Sequence, residues 1–248
     1  MAKTIDLFYK SYSKDYWLLY LSLQTIKKNV TGYNNIILLI PEQDKEIFDT
    51  SYLPERTLIY YIPDKSPGWL YQQYLKMTAH KYCFAEFILF ADSDCFWDHP
   101  VNLQDYVANG RPEILYTSWD KVGQAVCWRY PTEKFIKEPV EWERMRRNCQ
   151  IHYRQTLVDI EGYAPNLEEE IMTSGGFSEF NAIAAYAHKY CPDRYTFTNT
   201  DDWTYVPPLA EQVWSHSSKK EGVSETHLRE YIRTLETIMK SFDVPVPQ

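Results

Sequence analysis

Short apolar runs alternate along the first hundred residues with stretches whose apolar positions recur every three or four residues. Thr4 to Tyr9 reads as a first buried strand. Ser13 is placed to cap a helix in which Leu19, Leu23, Ile26 and Val30 share one face, ended by Gly32. Ile36 to Ile40 is a second strand, and Pro41 opens a short acidic helix. Thr57 to Ile62 is a third strand, stopped by Pro63 and the Pro67-Gly68 turn. A helix then runs from Trp69 to about Tyr82 with Leu70, Tyr74 and Met77 inward. Phe87 to Ala91 is an unbroken apolar run, the pattern of a strand buried on both faces. This alternation predicts a mostly parallel α/β sheet with helices on both faces.

Beyond Trp97 the pattern is harder to register. Ile114 to Ser118 and Ala125 to Tyr130 read as strands, while residues 132–170 are charged and helical in part. Ser178 caps a helix carrying Phe180, Ile183, Ala184 and Ala187 inward. Tyr195 to Thr198 and Gln212 to Ser215 are short strand candidates, and Ser224 caps a terminal helix. No linker splits the chain. It is expected to be one domain over 1–248, with a ligand-binding half at 4–97, a covering half at 98–223 and a terminal helix at 224–241.

The strand ending at Ala91 meets two carboxylates, Asp92 and Asp94, one residue apart. Residues i and i+2 share a face at a strand end, and ligands of parallel sheets bind beyond the carboxyl ends of the strands. Two like charges held together raise each other's pKa unless a cation intervenes, and carboxylate oxygens suit hard ions such as Mg²⁺ or Mn²⁺. A plainer alternative is that both aspartates cap a turn. On the preceding helix Trp69, Gln73, Lys76 and His80 fall on one face opposite the apolar stripe. An aromatic ring, an amide and an ammonium suit a nucleotide's base, sugar and phosphate, although the same face also fits an ordinary solvated helix.

Composition narrows the classes. Tyr 21, Phe 11 and Trp 8 against only 8 Gly suit a wet concave site or an aromatic core. The formal charge of −8 offers no general attraction to nucleic acid or anionic membranes. Five scattered cysteines without a C-x-x-C pair read as thiols of a reducing compartment. The N-terminus has no signal-peptide pattern and no run is long enough to span a bilayer, so a cytoplasmic location is expected. The first strand-to-helix connection, Tyr9 to Asp15, holds no glycine, which argues against a dinucleotide fingerprint and a P-loop.

Five stretches, in order, resemble small bacterial and phage-type glycosyltransferases of the GT-A fold. They are Ile5–Tyr9, Gly68–Lys76, Phe90–Asp94, Gly176–Phe180 and Trp214-Ser215-His216. The resemblance implies transfer of a sugar from a nucleotide-activated donor, UDP-linked in the first instance, to a hydroxyl. It implies that Asp92-Ser93-Asp94 is a D-x-D holding Mn²⁺ or Mg²⁺, with Asp94 a direct ligand and Asp92 a ligand or ribose partner. His216 would be a late metal ligand or an ordinary structural histidine. Tyr9, Trp69, Gln72, Gln73, Lys76 and Asp92 would meet the donor. Glu179 would be a general base or a hydrogen-bond acceptor for the acceptor, with Asp201 and Asp202 as alternative bases; a helix N-terminus lowers a carboxylate's basicity.

The acceptor expected is a glycan, with a hydroxymethylated base in DNA as the alternative. The segment Lys134 to Arg154 gathers Lys134, Lys137, Arg144, Arg146, Arg147 and Arg154, either a dock for an anionic acceptor or a solvated face paired with Glu138, Glu141 and Glu143. Competing readings are less well matched. A D-x-D-x-T phosphatase carries its pair on the first strand, and a sugar nucleotidyltransferase wants a glycine-rich loop. A catalytically silent scaffold that keeps the fold is the reading from another class.

Overall fold

The computed structural model describes residues 3–212, apart from 49, 52 and 108, together with Thr237. The strand β1 (Ile5–Lys10) is followed by α1 (Tyr16–Asn29), β2 (Asn35–Pro41) and β3 (Thr57–Ile62). Then come α2 (Gly68–Met77), β4 (Phe87–Phe90), β5 (Glu113–Ser118), α3 (Arg129–Ile136) and β6 (Gln150–Tyr153). The rest is α4 (Arg154–Tyr163), α5 (Leu167–Met172), α6 (Glu179–Tyr190) and β7 (Thr196–Asn199).

Five strands form the central sheet in the order β6-β4-β1-β2-β3. The four early strands are parallel, with Ile5 opposite Phe87, Asp6 opposite Asn35 and Ile36 opposite Thr57. Alternate residues of each strand go to opposite faces. Phe8, Ile37, Leu39, Ile88 and Phe90 pack under α2, α4 and α6 through Leu70, Leu75, Leu157, Ile160 and Ile183. Ile5, Leu7, Tyr9, Ile36, Leu38, Phe87 and Leu89 pack on α1 and on Trp97, Val101 and Leu103. Burial on both faces is why these strands read as continuous apolar runs. Asp6 is buried among them, its carboxylate accepting from the backbone N–H groups of Phe84 (2.9 Å) and Ala85 (3.0 Å), which locks the chain into β4.

Several local expectations shift. Ser13 lies in a 3₁₀ turn ahead of α1, its N–H donating to Asp44 Oδ2 at 2.8 Å, and Asp15 takes the cap position. Val30 leaves the helix to pair with Val101. The acidic helix after Pro41 is a single 3₁₀ turn, Glu42–Asp44. The strand expected over Ala125 to Tyr130 is a 3₁₀ turn running into α3, because Pro131, which has no N–H to give a ladder, fits the first turn of a helix. The helix expected over 224–241 lies outside the described residues, Thr237 excepted.

The strand β6 was hidden in the charged segment. It pairs antiparallel with β4, Gln150 opposite Phe90, and its polar residues are interior: Gln150 Oε1 and His152 Nε2 are 3.0 Å apart. Burial pushes the His152 imidazole down to about 3. The unfolded chain takes up that proton near pH ~6.5, so the native state binds fewer protons between the two values and loses stability as pH falls through that window. Replacement by glutamine, His152→Gln, should therefore flatten the acid side of the stability profile. Each pH unit inside the window carries up to ~1.4 kcal/mol. Urea denaturation at pH 7, 5.5 and 4 checks this, and parallel profiles for variant and wild type would refute it.

Candidate active site

The chain builds β1, β2 and β3 outward to one edge, then returns through α2 to place β4 on the other side of β1. Connections diverge between the carboxyl ends of β1 and β4, which opens a crevice there. Asp92-Ser93-Asp94 follows β4 at this point, and Ser11 follows β1. Ser93 Oγ lies 2.9 Å from Ser11 Oγ, joining the two strand ends.

Lys76 is the centre of the site. Only 2% exposed, its Nζ donates to Asp92 Oδ1 and to Glu179 Oε1, both at 2.8 Å, and sits 4.6 Å from the centre of the Phe180 ring. Burial alone would lower its pKa, but Asp92 and Glu179 outweigh burial and hold it above the ordinary lysine value. Gln72 Nε2 adds a second bond to Asp92 Oδ1 at 2.8 Å. Gln73 Oε1 accepts from the backbone N–H of Glu179 at 3.2 Å. Helix α2 is thus not solvated on the face opposite its apolar stripe: α5 and α6 cover it, and Gln73, Lys76 and His80 are all buried. His80 turns elsewhere, to Glu161 Oε2 at 2.9 Å. Trp69 keeps an open ring, 47% exposed and 6.5 Å from Trp128.

Glu179 opens α6, and Ser178 caps that helix as expected, its Oγ accepting from the Asn181 N–H at 3.4 Å. Asn181 was not singled out in the sequence, yet it positions this turn. Its Nδ2 donates to Ser178 Oγ (3.0 Å) and Glu143 Oε1 (3.3 Å), while its Oδ1 accepts from the Arg144 N–H at 2.8 Å. Glu143 is buried there, and burial raises its pKa. Asn181 and Glu143 are 38 positions apart, so no local signal could connect them.

Asp94 is buried, with Gln212 Nε2 donating to its Oδ1 at 3.1 Å. Glu211 and Gln212 form a short antiparallel pair with Cys95 and Phe96, which carries the late chain to the acid pair. His216 lies outside the described residues. Among the described residues no group of three or more His, Cys, Asp and Glu converges on a metal position.

Two expected participants are engaged elsewhere, and a third stands apart from the cluster. Tyr9 is fully buried against α1, its hydroxyl 3.1 Å from Ser22 Oγ, which in turn donates to the Cys95 carbonyl at 2.6 Å. It offers no surface to a donor and instead supports the strand after Asp94. Asp201 accepts from Thr117 Oγ1 (2.6 Å), Ser118 N (2.9 Å) and Ser118 Oγ (2.7 Å). These bonds hold its carboxyl well below the usual range, making it a clasp on β5 and a poor proton acceptor. Asp202 is exposed, and among the described residues no hydrogen bond joins it to the Lys76 cluster.

The basic segment also disperses. Arg144 is buried, donating to the Trp142 carbonyl at 2.8 Å and lying 2.7 Å from His188 Nδ1. Arg147 pairs with Glu113 at 3.1 Å, and Arg154 donates to the Cys83 carbonyl at 2.7 Å. Arg146 lies 3.8 Å from Glu143, whereas Glu138 pairs with Lys189. These cations fasten separate elements and do not line one face.

No protein-family model matches the chain, and no curated protein matches it. Among solved structures it is similar to galactosyltransferase LgtC in complex with donor and acceptor sugar analogues, with a TM-score of 0.58 at 8% identity over 98% of each chain. A structure of an active-site mutant of LgtC matches equally, with a TM-score of 0.58 at 8% identity over 95% of each chain. Among the described residues no helix is long and apolar enough to cross a membrane. A central, mostly parallel sheet sheathed in helices on both faces, and shared with LgtC over nearly the whole length, makes this a GT-A fold.

Proposed function

We propose that the protein is a glycosyltransferase that moves a sugar from a nucleotide-diphosphate donor to a hydroxyl acceptor. The observation that carries this reading is the convergence of Asp92, Lys76 and Glu179 at the sheet's switch point, beside Asp94. In the reaction the bond from the anomeric carbon to the β-phosphate oxygen breaks and its electron pair leaves with the diphosphate. The acceptor oxygen bonds the anomeric carbon and gives up its proton to the departing diphosphate or to water.

The donor set suits a small hard divalent ion, which takes one or two carboxylates and fills its remaining positions with water and phosphate oxygens. Asp92 and Asp94 would hold Mn²⁺ or Mg²⁺, and the ion would supply positive charge to the departing diphosphate. Lys76 holds Asp92 and Glu179 at fixed separation, so both carboxylates are positioned before any ligand arrives. Glu179 has one oxygen on Lys76 and is read as a hydrogen-bond acceptor that orients a sugar hydroxyl. Trp69, with its open ring on the same helix, is read as an apolar surface for the donor or acceptor.

Thermal melts with UDP, with Mn²⁺ and with both test the reading. Ligand at a hundred times its Kd stabilises the native state by ~2.7 kcal/mol, which in a chain of this size raises Tm by roughly 5–10 °C. UDP and Mn²⁺ together should exceed either alone, and nucleotide-sugar hydrolysis read by mass spectrometry should name the donor. A silent scaffold would respond to neither. Flat melts with a panel of nucleoside diphosphates, and no donor hydrolysis, would end the transferase reading.

A further inference from the structure

A pocket of ≈ 410 Å³ opens between α3, α5 and the turn before α6. That volume lies within the ~300–1,000 Å³ of small-ligand sites. Its apolar wall is Tyr130, which is 73% exposed, together with buried Phe177. Around them stand Lys134, Asn166, Glu169 and Glu170. Among the described residues the side chains of these four make no hydrogen bond or ion pair, so donors and acceptors face the space uncommitted. Asn166 occupies the cap position of α5 yet makes no capping bond with its side chain.

The turn before α6 links the pocket lining to the candidate active site. Phe177 is two residues before Glu179. Gly176, also in its lining, carries no side chain to fill the space toward the Trp128 ring, where a Cβ would come within 3.9 Å. Trp128 lies 6.5 Å from Trp69, two helical turns ahead of Lys76 on α2. The Trp128 and Trp69 rings therefore stand between the Gly176 edge of the pocket and the helix that carries Lys76.

We infer that this pocket is a saccharide subsite that holds the distal residues of a neutral oligosaccharide acceptor. The inference rests on the transferase reading for the word acceptor, and on the pocket alone for the word saccharide. Sugar rings present an apolar face that packs on an aromatic ring, and a rim of hydroxyls that both donate and accept. Two lysines, Lys134 and Lys137, oppose two glutamates, Glu169 and Glu170, in the lining. That balance leaves no net field for an anionic chain, unlike an arginine cluster built for phosphate.

Saturation-transfer NMR on the full chain without nucleotide, using lactose, cellotriose, maltotriose and chitotriose, tests the subsite. At least one trisaccharide should bind, with lactose weaker. Because Tyr130 is exposed, Tyr130→Ala should fold normally and weaken that binding roughly tenfold; Glu170→Gln should weaken it less. No binding across the panel, equal binding by Tyr130→Ala, or tighter binding of a chondroitin tetrasaccharide overturns the inference. The UDP and Mn²⁺ melts stand apart from this result. Saccharide binding lost in Tyr130→Ala without any nucleotide response keeps the pocket and removes the transferase reading; the reverse pattern removes only the pocket.

Discussion

Lys76→Met should lower the stability of the protein by about 3 kcal/mol and abolish donor binding. Methionine matches the stem of lysine, so packing under Phe180 survives while the charge is lost. What remains is two carboxylates, Asp92 and Glu179, that had shared one ammonium at 2.8 Å each. Removing one partner of a buried ion pair costs ~3–5 kcal/mol, and the partial exposure of Asp92 argues for the lower end. The folded lysine pKa is raised above its unfolded value, so its contribution is fully present below pH ~10.5 and lost only as pH rises through the folded value. The deficit should therefore be constant from pH 6 to 9. It should shrink when Glu179→Gln is added, since the amide removes one stranded charge. Urea denaturation of the two single variants and the double variant measures the coupling, and strictly additive losses would mean that Lys76 and Glu179 do not act as a pair.

Asp94→Asn should separate chemistry from folding. Asparagine keeps the shape of the side chain and retains an oxygen for the bond from Gln212 Nε2. The unliganded melting temperature should therefore stay within a few degrees of wild type. Loss of a charge that positions a stabilising ion at a leaving group is expected to slow transfer by ~10²–10³-fold or more, the scale for removing one preorganised electrostatic contact. The stabilisation that UDP gains from Mn²⁺ should vanish with it. Turnover close to wild type with the metal response intact would show that Asp94 only closes the turn after β4.

How far each part of this site could be read in advance follows from where its contacts lie in the chain. The strands β1, β2 and β4 were legible because burial on both faces leaves a run of apolar residues that needs no partner to be recognised, and α2 because its apolar positions recur at helical spacing. The Ser178 cap was legible for a similar reason, since a cap acts within one turn. Strand β6 was not: its Gln150 and His152 look like surface residues until antiparallel pairing with the distant β4 is found to bury them inside the sheet. The same blindness scattered the arginines of 144–154, whose carbonyl and carboxylate partners belong to distant segments.

The amino-acid sequence on its own determined the alternation of strands and helices, and with it a parallel sheet whose acid pair stands at a carboxyl edge. It also brought Lys76, Glu179 and the two aspartates to notice as chemically suited residues. Only the tertiary structure decided which of them meet. Lys76 and Glu179 are 103 positions apart, and their contact exists because α6 crosses α2 over the end of β4. By the same cause Tyr9 was withdrawn to the far face of the sheet and Asp201 was spent on the end of β5. Periodicity reports which face of an element is apolar, a local property of the backbone's repeat. Which neighbour covers that face depends on packing among segments distant in the chain, and there each charge finds its partner.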